Sequence, residues 1–216
     1  MNEKLIEQTK KYVEDFFKGD SSGHDYYHTL RVYNLAKTIS EKEGGNQEII
    51  VLAALLHDVD DYKIIGENGI PFYNAKTFLK NNNVDEDEIA EICNVISTIS
   101  FKGVDTVAPT SIEGKVVQDA DRLDAIGAIG IGRTFAYGGK VGRPMHNPDI
   151  KYNENMTAEQ YYKNVGTSIN HFYEKLLKLK ELMNTETAKK MAESRHIYME
   201  NFLNEFYKEW AGELWE

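Results

Sequence analysis

Apolar residues recur along most of the chain with the three- and four-residue spacing of amphipathic helices. The first such segment covers about residues 2–18 and the second about 25–43. A third, about 46–58, contains EIIVLAALL and is apolar on nearly every side, so a buried strand is the alternative there. Its length, its Ala and Leu content and the Gly45-Asn46 pair before it favour a buried helix.

The remainder of the chain continues the helical pattern and is interrupted by one long loop. Helices are predicted over about 71–83, 85–100 and 111–136. The stretch of about 138–156 is rich in Gly, Pro and Asn and predicts a loop, either a lid or a flap without fixed structure. One long helix is predicted over about 157–183 and another over about 185–210. The sequence therefore predicts an all-α protein.

Composition and charge limit the classes of ligand. The 216 residues are 41% hydrophobic and 28% charged, as in ordinary globular proteins, and the net charge is -10. This acidic balance argues against binding a nucleic acid polymer or an anionic membrane, both of which need basic patches. A small phosphorylated ligand stays compatible with it, because a divalent metal can reverse the local field.

Two further features concern location and assembly. Cys93 is the one cysteine, and the N-terminal segment lacks the apolar core of a signal peptide, so we expect a reducing, cytoplasmic location. The last predicted helix has an apolar and aromatic stripe that forms either core or the face of a homodimer. That stripe consists of Met199, Phe202, Leu203, Phe206 and Trp210.

Candidate chemistry begins at LLHDVDD, residues 55–61, which ends the apolar third helix. It places His57 beside Asp58 and adds Asp60 and Asp61 within three residues. Neighbouring carboxylates repel one another and are costly to bury unpaired, so this segment predicts a cation. Imidazole nitrogen and carboxylate oxygen are good ligands for Mn, Fe, Co, Ni or Zn ions.

Two other segments offer further ligands of the same kinds. GHDYYHTLRV places His24 and His28 four residues apart, on one face of a helix. VVQDADRLDAIG places Asp119, Asp121 and Asp124 directly after an apolar stretch. Each segment alone has an ordinary interpretation as helix caps or surface charges. All three together predict convergence on one metal site.

The strings HDYYHTLRV, LLHDVDD and QDADRLDAIG, in this order, resemble the HD superfamily of metal-dependent phosphohydrolases. The resemblance is closest to bacterial HD-domain hydrolases with the DADRLDAIGAIG run. It covers roughly residues 20–140. It implies a single HD-type domain over 1–216, in which these residues form the core motif region. The C-terminal helices of about 157–212 would pack on that region. It implies an all-α bundle of helices with a buried metal site.

The resemblance also implies a set of ligands for one divalent ion, which is Mn, Fe, Co, Ni, Zn or Mg. These ligands are His28, His57, Asp58 and Asp121. In the family the last aspartate is followed by a basic or small residue and then a hydrophobic one, as in Asp121-Arg122-Leu123. The extra histidines of two-metal HD phosphodiesterases are not evident, which argues against a binuclear enzyme.

The activity implied by the resemblance is hydrolysis of a nucleotide or another small phosphate ester or anhydride, with the metal lowering the pKa of a water molecule. Asp61 is the candidate for proton transfer, and Arg122 and then His24 are candidates for stabilising phosphoryl charge. Further candidates for substrate binding are Lys115, Arg133, Lys140, Arg143 and His146. Alternatives are a cyclic-nucleotide or alarmone hydrolase of the same superfamily and a non-catalytic metal- or nucleotide-binding regulator.

Overall fold

The computed structural model describes residues 1–19, 25–61, 66 and 69–213, without the side chain of Tyr162. Within these residues it contains ten α-helices, two short 3-10 helices and no strand, which confirms the all-α class. The α-helices are α1 (Glu3–Phe16), α2 (Tyr26–Glu43), α3 (Gln47–Leu56), α4 (Tyr73–Asn81), α5 (Glu86–Ser97), α6 (Ile112–Asp124), α7 (Gly127–Lys140), α8 (Ala158–Lys163), α9 (Ser168–Glu174) and α10 (Glu186–Ala211). The 3-10 helices are Gly103–Asp105 and Leu176–Lys178.

Helix α3 forms the centre of the fold. Every residue from Ile49 to Leu56 is buried, and the helix packs against α1, α2, α5 and α6. The Asn46 side chain caps its first turn by accepting hydrogen bonds from the backbone N–H groups of Glu48 and Ile49. The apolar third segment is therefore a buried helix, as expected, and its C-terminal end carries His57 and Asp58.

The predicted helix over 111–136 is in fact two helices, α6 and α7. The chain turns between them at Ile126 and Gly127, and Gly127 has a φ of +76°. A Cβ atom at Gly127 would lie 3.0 Å from the Cβ and Cγ atoms of Arg195 on α10. Glycine thus permits both the positive φ and the close approach of α10.

The prediction of one long helix over 157–183 is wrong. The structure divides this segment into α8, α9 and the 3-10 helix Leu176–Lys178. Thr157 caps α8 in a capping box with Gln160, and Thr167 caps α9 through the backbone N–H of Asn170. Val165 and Gly166 lie in the extended stretch between the two helices.

The long loop before α8 begins after Lys140, because α7 extends to that residue. It is attached to the body of the protein by backbone hydrogen bonds, including Ser168 N–H to the Pro144 carbonyl at 2.9 Å and Val104 N–H to the Met156 carbonyl at 3.1 Å. Met156 is buried. A role of this loop as a lid stays a prediction.

Helix α10 crosses the bundle and packs against α2, α6 and α7. Its aromatic stripe is partly core, because Met199 and Leu203 are buried, whereas Trp210 is 52% exposed. None of the helices in the described part of the chain is both long and apolar enough to span a membrane.

Candidate metal centre

Two buried histidines present the same ring nitrogen to one site. His28 lies in the first turn of α2, where its backbone N–H donates to the capping carboxylate of Asp25 at 2.8 Å. His57 directly follows the last residue of α3, and its Nδ1 lies 2.8 Å from the Ala54 carbonyl oxygen. Since a carbonyl can only accept, the Nδ1 atom of His57 carries the proton and Nε2 offers a lone pair.

Four side chains converge around these Nε2 atoms. The Nε2 atoms of His28 and His57 lie 3.3 Å apart. Asp58 places Oδ2 at 3.3 Å from the first and Oδ1 at 3.3 Å from the second. The Oδ1 atom of Asp121 lies 3.5 Å from Nε2 of His28 and 3.8 Å from Nε2 of His57. The structure thus brings together all four predicted ligands.

The spacing and chemistry of these atoms fit a divalent cation. Ligands with bond lengths of about 2.0–2.2 Å are separated by about 2.8–3.6 Å at octahedral to tetrahedral angles. The observed separations of 3.3 to 3.8 Å are close to that range. Two lone pairs and two carboxylates that face one another repel unless a positive charge lies among them. A mixed nitrogen and oxygen donor set suits Mn, Fe, Co, Ni or Zn.

Asp124 orients His28 from outside the cluster. Its Oδ2 lies 2.7 Å from Nδ1 of His28, and its carboxylate also accepts from Arg31 Nε at 2.6 Å and from Arg133 Nη1 at 2.8 Å. A carboxylate on Nδ1 holds the imidazole in the tautomer that leaves Nε2 free for a metal. Two arginines in turn hold that carboxylate in place.

Hydrogen bonds and nearby charges shift the pKa values of His28 and Asp124 against the effect of burial. Burial would raise the pKa of the Asp124 carboxyl, but hydrogen bonds from His28 and Arg31 and the charge of Arg133 hold it well below its usual value. Burial and Arg133 lower the pKa of His28, yet its hydrogen bonds to Asp124 and Asp58 outweigh them and raise it. A metal at Nε2 therefore competes with a proton, so metal affinity falls as the pH falls.

The two remaining aspartates of the acidic segments cap helices. Asp119 is fully buried and accepts four hydrogen bonds of 2.8 Å, two from Asn184 and two from Thr185, at the start of α10. Asp60 accepts from the backbone N–H groups of Asn74 and Ala75 at 2.9 Å, in the first turn of α4. Asp60 thus supplies the side-chain cap that the N-cap residue of α4, Phe72, does not provide.

The candidates for catalysis lie in three different settings. Asp61 is partly buried, and its backbone N–H donates to the Asp58 carbonyl at 3.0 Å. Arg122 is 5% exposed and donates from Nη1 to the backbone carbonyl of Leu182, so this end of its guanidinium is directed toward the start of α10. His24 lies outside the described residues. The catalytic roles of all three stay predictions.

The candidates for substrate binding are dispersed. Arg133 contributes to the metal centre through Asp124. Lys115 is partly buried on α6, and Lys140 is the last residue of α7. The Arg143 guanidinium lies 5.9 Å from the ring centroid of Tyr137. His146 packs against aromatic side chains of α10, namely Phe206, Tyr207 and Trp210.

Sequence reasoning did not single out two cations, Arg31 and Lys175, that interact with aspartates of the site. Arg31 donates to Asp124. The sequence indicates this contact only weakly, because an arginine three residues after His28 could equally be exposed on the helix surface. Lys175 follows α9, and the carboxylates of Asp121 and Asp61 act on its charge. Nothing in the local pattern distinguishes it from the other lysines of that segment.

Comparison with known proteins places the chain in a family. The model of the HD domain matches residues 25–126. The protein YpgQ of Bacillus subtilis is 36% identical over 211 residues, which are 97% of this chain and 95% of YpgQ. The protein L803 of Acanthamoeba polyphaga mimivirus is 30% identical over 197 residues, which are 78% of this chain and 81% of that protein. The chain belongs to the HD superfamily.

Solved structures extend the similarity over the whole fold. An HD-superfamily hydrolase from Bacillus thuringiensis is 45% identical with a TM-score of 0.74, over 98% of this chain and 99% of that one. A protein from Lactobacillus plantarum is 41% identical with a TM-score of 0.88, over 99% and 100% of the two chains. YpgQ, crystallised in complex with ADP, is 34% identical with a TM-score of 0.75, over 94% and 97%.

Proposed function

We propose that the protein is a divalent-metal-dependent phosphohydrolase that acts on a nucleotide or another small phosphate ester or anhydride. The convergence of His28, His57, Asp58 and Asp121 carries this proposal, since hydrolysis needs a water nucleophile and this donor set suits the ions that activate one. The complex of the related YpgQ with ADP supports a nucleotide as the substrate.

The ligand residues form a preorganised anionic site. A divalent cation bound there lowers the pKa of a water molecule and polarises a phosphoryl oxygen. Asp58 and Asp121 balance the charge of the cation, and Asp124 and the Ala54 carbonyl keep both imidazoles oriented. Because these contacts exist within the protein itself, the site needs little rearrangement to bind a metal.

Asp61 is the residue that we assign to proton transfer. It lies at the end of the turn that begins with Asp58, where its backbone N–H donates to the Asp58 carbonyl, and it is partly buried beside the cluster. Its carboxylate accepts the proton of the attacking water or returns it to the leaving oxygen. Asp61 is not a proposed metal ligand, so it can accept a proton without dissociating from the metal, whereas Asp58 could not.

A metal-loaded substrate screen tests the proposal. The protein is stripped with a chelator, reloaded with Mn, Co, Ni or Mg, and given nucleoside mono-, di- and triphosphates and cyclic nucleotides, with release of phosphate and pyrophosphate measured. We expect turnover that depends on the metal. Metal binding without turnover of any of these compounds would favour a non-catalytic regulator over the enzyme.

Replacing Asp61 with Asn sharpens the test. We expect kcat to fall roughly 10²- to 10⁴-fold, the usual contribution of general acid–base catalysis, while the metal content stays unchanged. Asp60→Asn is the matched control, because that carboxylate contacts α4 and should leave kcat unaltered. An Asp61→Asn variant with the kcat of the wild type would remove Asp61 from the mechanism.

A further inference from the structure

A cavity of about 590 Å³ lies beside the segment that follows α5. Its walls come from the 3-10 helix Gly103–Asp105, from residues 154–156 and from residues 177–184. Aromatic and apolar side chains contribute much of its lining, among them Phe101, Met156, Tyr161 and Leu177. This volume is within the usual range of sites for small molecules.

Arg122 connects this cavity to the metal-binding helix. Its side chain lines the cavity, and the residue directly precedes Leu123 and follows the ligand Asp121 on α6. Nη1 donates to the Leu182 carbonyl, but the buried Nε has no hydrogen-bond partner among the described residues. A buried N–H without an acceptor is unfavourable, so a ligand that offers an oxygen or ring nitrogen would be stabilised there.

Lys175 is the cation that contacts the wall of the cavity on Phe101 and also interacts electrostatically with Asp121 and Asp61. Its ammonium is 5.3 Å from the ring centroid of Phe101, which lines the cavity. Burial lowers the pKa of Lys175, and the nearby carboxylates of Asp121 and Asp61 oppose that shift. In the part of the chain that the structure describes, this ammonium makes neither a hydrogen bond nor an ion pair and lies over the Phe101 ring.

The charges around the cavity indicate how a ligand would be oriented. Three carboxylates line the cavity, those of Glu154, Glu174 and Glu181, against the two cations of Arg122 and Lys178. The formal charge of the lining is therefore negative, which disfavours a phosphate inside the cavity. A phosphate outside it, near the metal cluster, would lie close to the Lys175 ammonium and, with a divalent cation bound by the cluster, to a second positive charge. An uncharged, aromatic group suits the cavity itself, because Phe101 and Tyr161 offer ring faces and edges, with their centroids 5.3 Å apart.

We infer that this cavity binds the nucleoside part of the substrate, with Lys175 binding its phosphate between the cavity and the metal cluster. The inference rests on the proposed phosphohydrolase function and adds to it the surface that recognises a nucleotide. The base packs against Phe101 and Tyr161, and the unpaired Nε of Arg122 donates to an acceptor of the nucleoside. Lys175 supplies the cation that the phosphate needs.

Equilibrium binding tests this inference without requiring turnover. Calorimetric titrations of the metal-loaded protein use ADP and inorganic pyrophosphate, which shares the phosphates but lacks the nucleoside. The variants are Phe101→Leu and Lys175→Met, with Lys175→Arg as the conservative replacement. Lys180→Met is the matched control, because the Lys180 ammonium pairs with Glu193 at 3.2 Å. Circular dichroism confirms that each variant retains its helices.

The expected pattern separates the two parts of the nucleotide. Phe101→Leu should weaken ADP binding roughly 5- to 100-fold, the usual effect of losing a base–aromatic contact, and leave pyrophosphate binding unchanged. Lys175→Met should weaken both ligands at least about tenfold, and Lys175→Arg should restore part of that loss. Lys180→Met should bind both as the wild type does.

Several results would overturn the inference. One is an unchanged Kd for ADP in both Phe101→Leu and Lys175→Met; another is an equal loss of ADP and pyrophosphate binding in Phe101→Leu. A second ADP per chain that Phe101→Leu removes, with kcat/KM unaltered, would make the cavity a separate regulatory site. None of these results concerns the metal-dependent turnover of the wild type. The proposed function is therefore tested by the substrate screen alone.

Discussion

The two acidic segments of the metal centre, residues 58–61 and 119–124, each contain three aspartates, and the three side chains within each segment have different partners. In the first segment, Asp58 faces the two histidines and Asp60 caps α4. In the second, Asp121 faces the same histidines and Asp119 caps α10. Each segment thus supplies one predicted ligand and one helix cap.

The third aspartate is where the segments differ. Asp124 is 2% exposed and is held by His28, Arg31 and Arg133. Asp61 is partly buried and lies at the end of a turn. A buried carboxylate that is held by three partners can orient a metal-binding histidine, whereas a partly exposed one can exchange protons with solvent or substrate. Two segments of similar composition thus differ in their third aspartate, which is fixed in one segment and is the proposed proton-transfer residue in the other.

Removing a ligand should have the largest effect on this comparison. Asp58→Asn and Asp121→Asn each take one negative charge and one donor from the cluster, so we expect metal affinity to fall more than about 100-fold, beyond the effect of losing an outer partner. Metal content after dialysis and calorimetric titration with Mn or Co measure it. If either variant binds metal as the wild type does, that aspartate is not a ligand.

Removing the orienting carboxylate should have a smaller effect. Asp124→Asn keeps the shape of the side chain but lacks the charge that holds Nδ1 of His28 and the guanidinium of Arg31. We expect metal affinity to fall about 10- to 100-fold, as for other partners of metal-bound histidines. The same titration measures it, and a loss as large as that of Asp58→Asn would place Asp124 among the ligands.

Removing the caps should change stability and leave the metal in place. Asp119→Ala leaves buried donors of Asn184 and Thr185 unpaired, so we expect the free energy of unfolding to fall by about 2–3 kcal/mol. Asp60→Ala removes a partly exposed cap of α4 and should lose about 1 kcal/mol. Urea denaturation measures both losses.

The order of these two losses is the informative part. A larger loss in Asp60→Ala than in Asp119→Ala would mean that burial does not determine the strength of these caps. Metal titration of both variants serves as the control, with affinities expected within about twofold of the wild type, since neither carboxylate faces the histidines.

Much of the site could be predicted from the sequence because its ligands lie in short, recognisable strings. The resemblance of these strings to the HD superfamily predicts His28, His57, Asp58 and Asp121 as ligands, and the structure brings their side chains together. The roles of Asp60 and Asp119 could not be predicted, because their partners are backbone N–H groups 14 and 65 residues away. A local pattern does not report which helix start will lie beside a carboxylate.

The all-α class of the fold could be predicted from the sequence, but some of the points at which helices end could not. Helices α1, α2, α3, α5 and α10 lie close to their predicted ranges. The segment of 157–183 was misjudged because Phe172, Leu176 and Leu179 keep a helical spacing across the end of α9 and into the 3-10 helix. Periodicity reports the buried face of a segment and misses a change in the winding of the backbone.

The bonds between Asp119 and the start of α10 have a consequence for any attempt to shorten the protein. A fragment that ends near residue 126, where the match to the HD domain ends, would contain all four ligands but would separate Asp119 from Asn184 and Thr185. The carboxylate of Asp119, which is buried in the whole chain, would then face water or an apolar surface, on the same helix as Asp121. We therefore expect a fragment without α10 to be less stable than the whole chain and to hold Asp121 less firmly, because Asp119 on the same helix loses its partners.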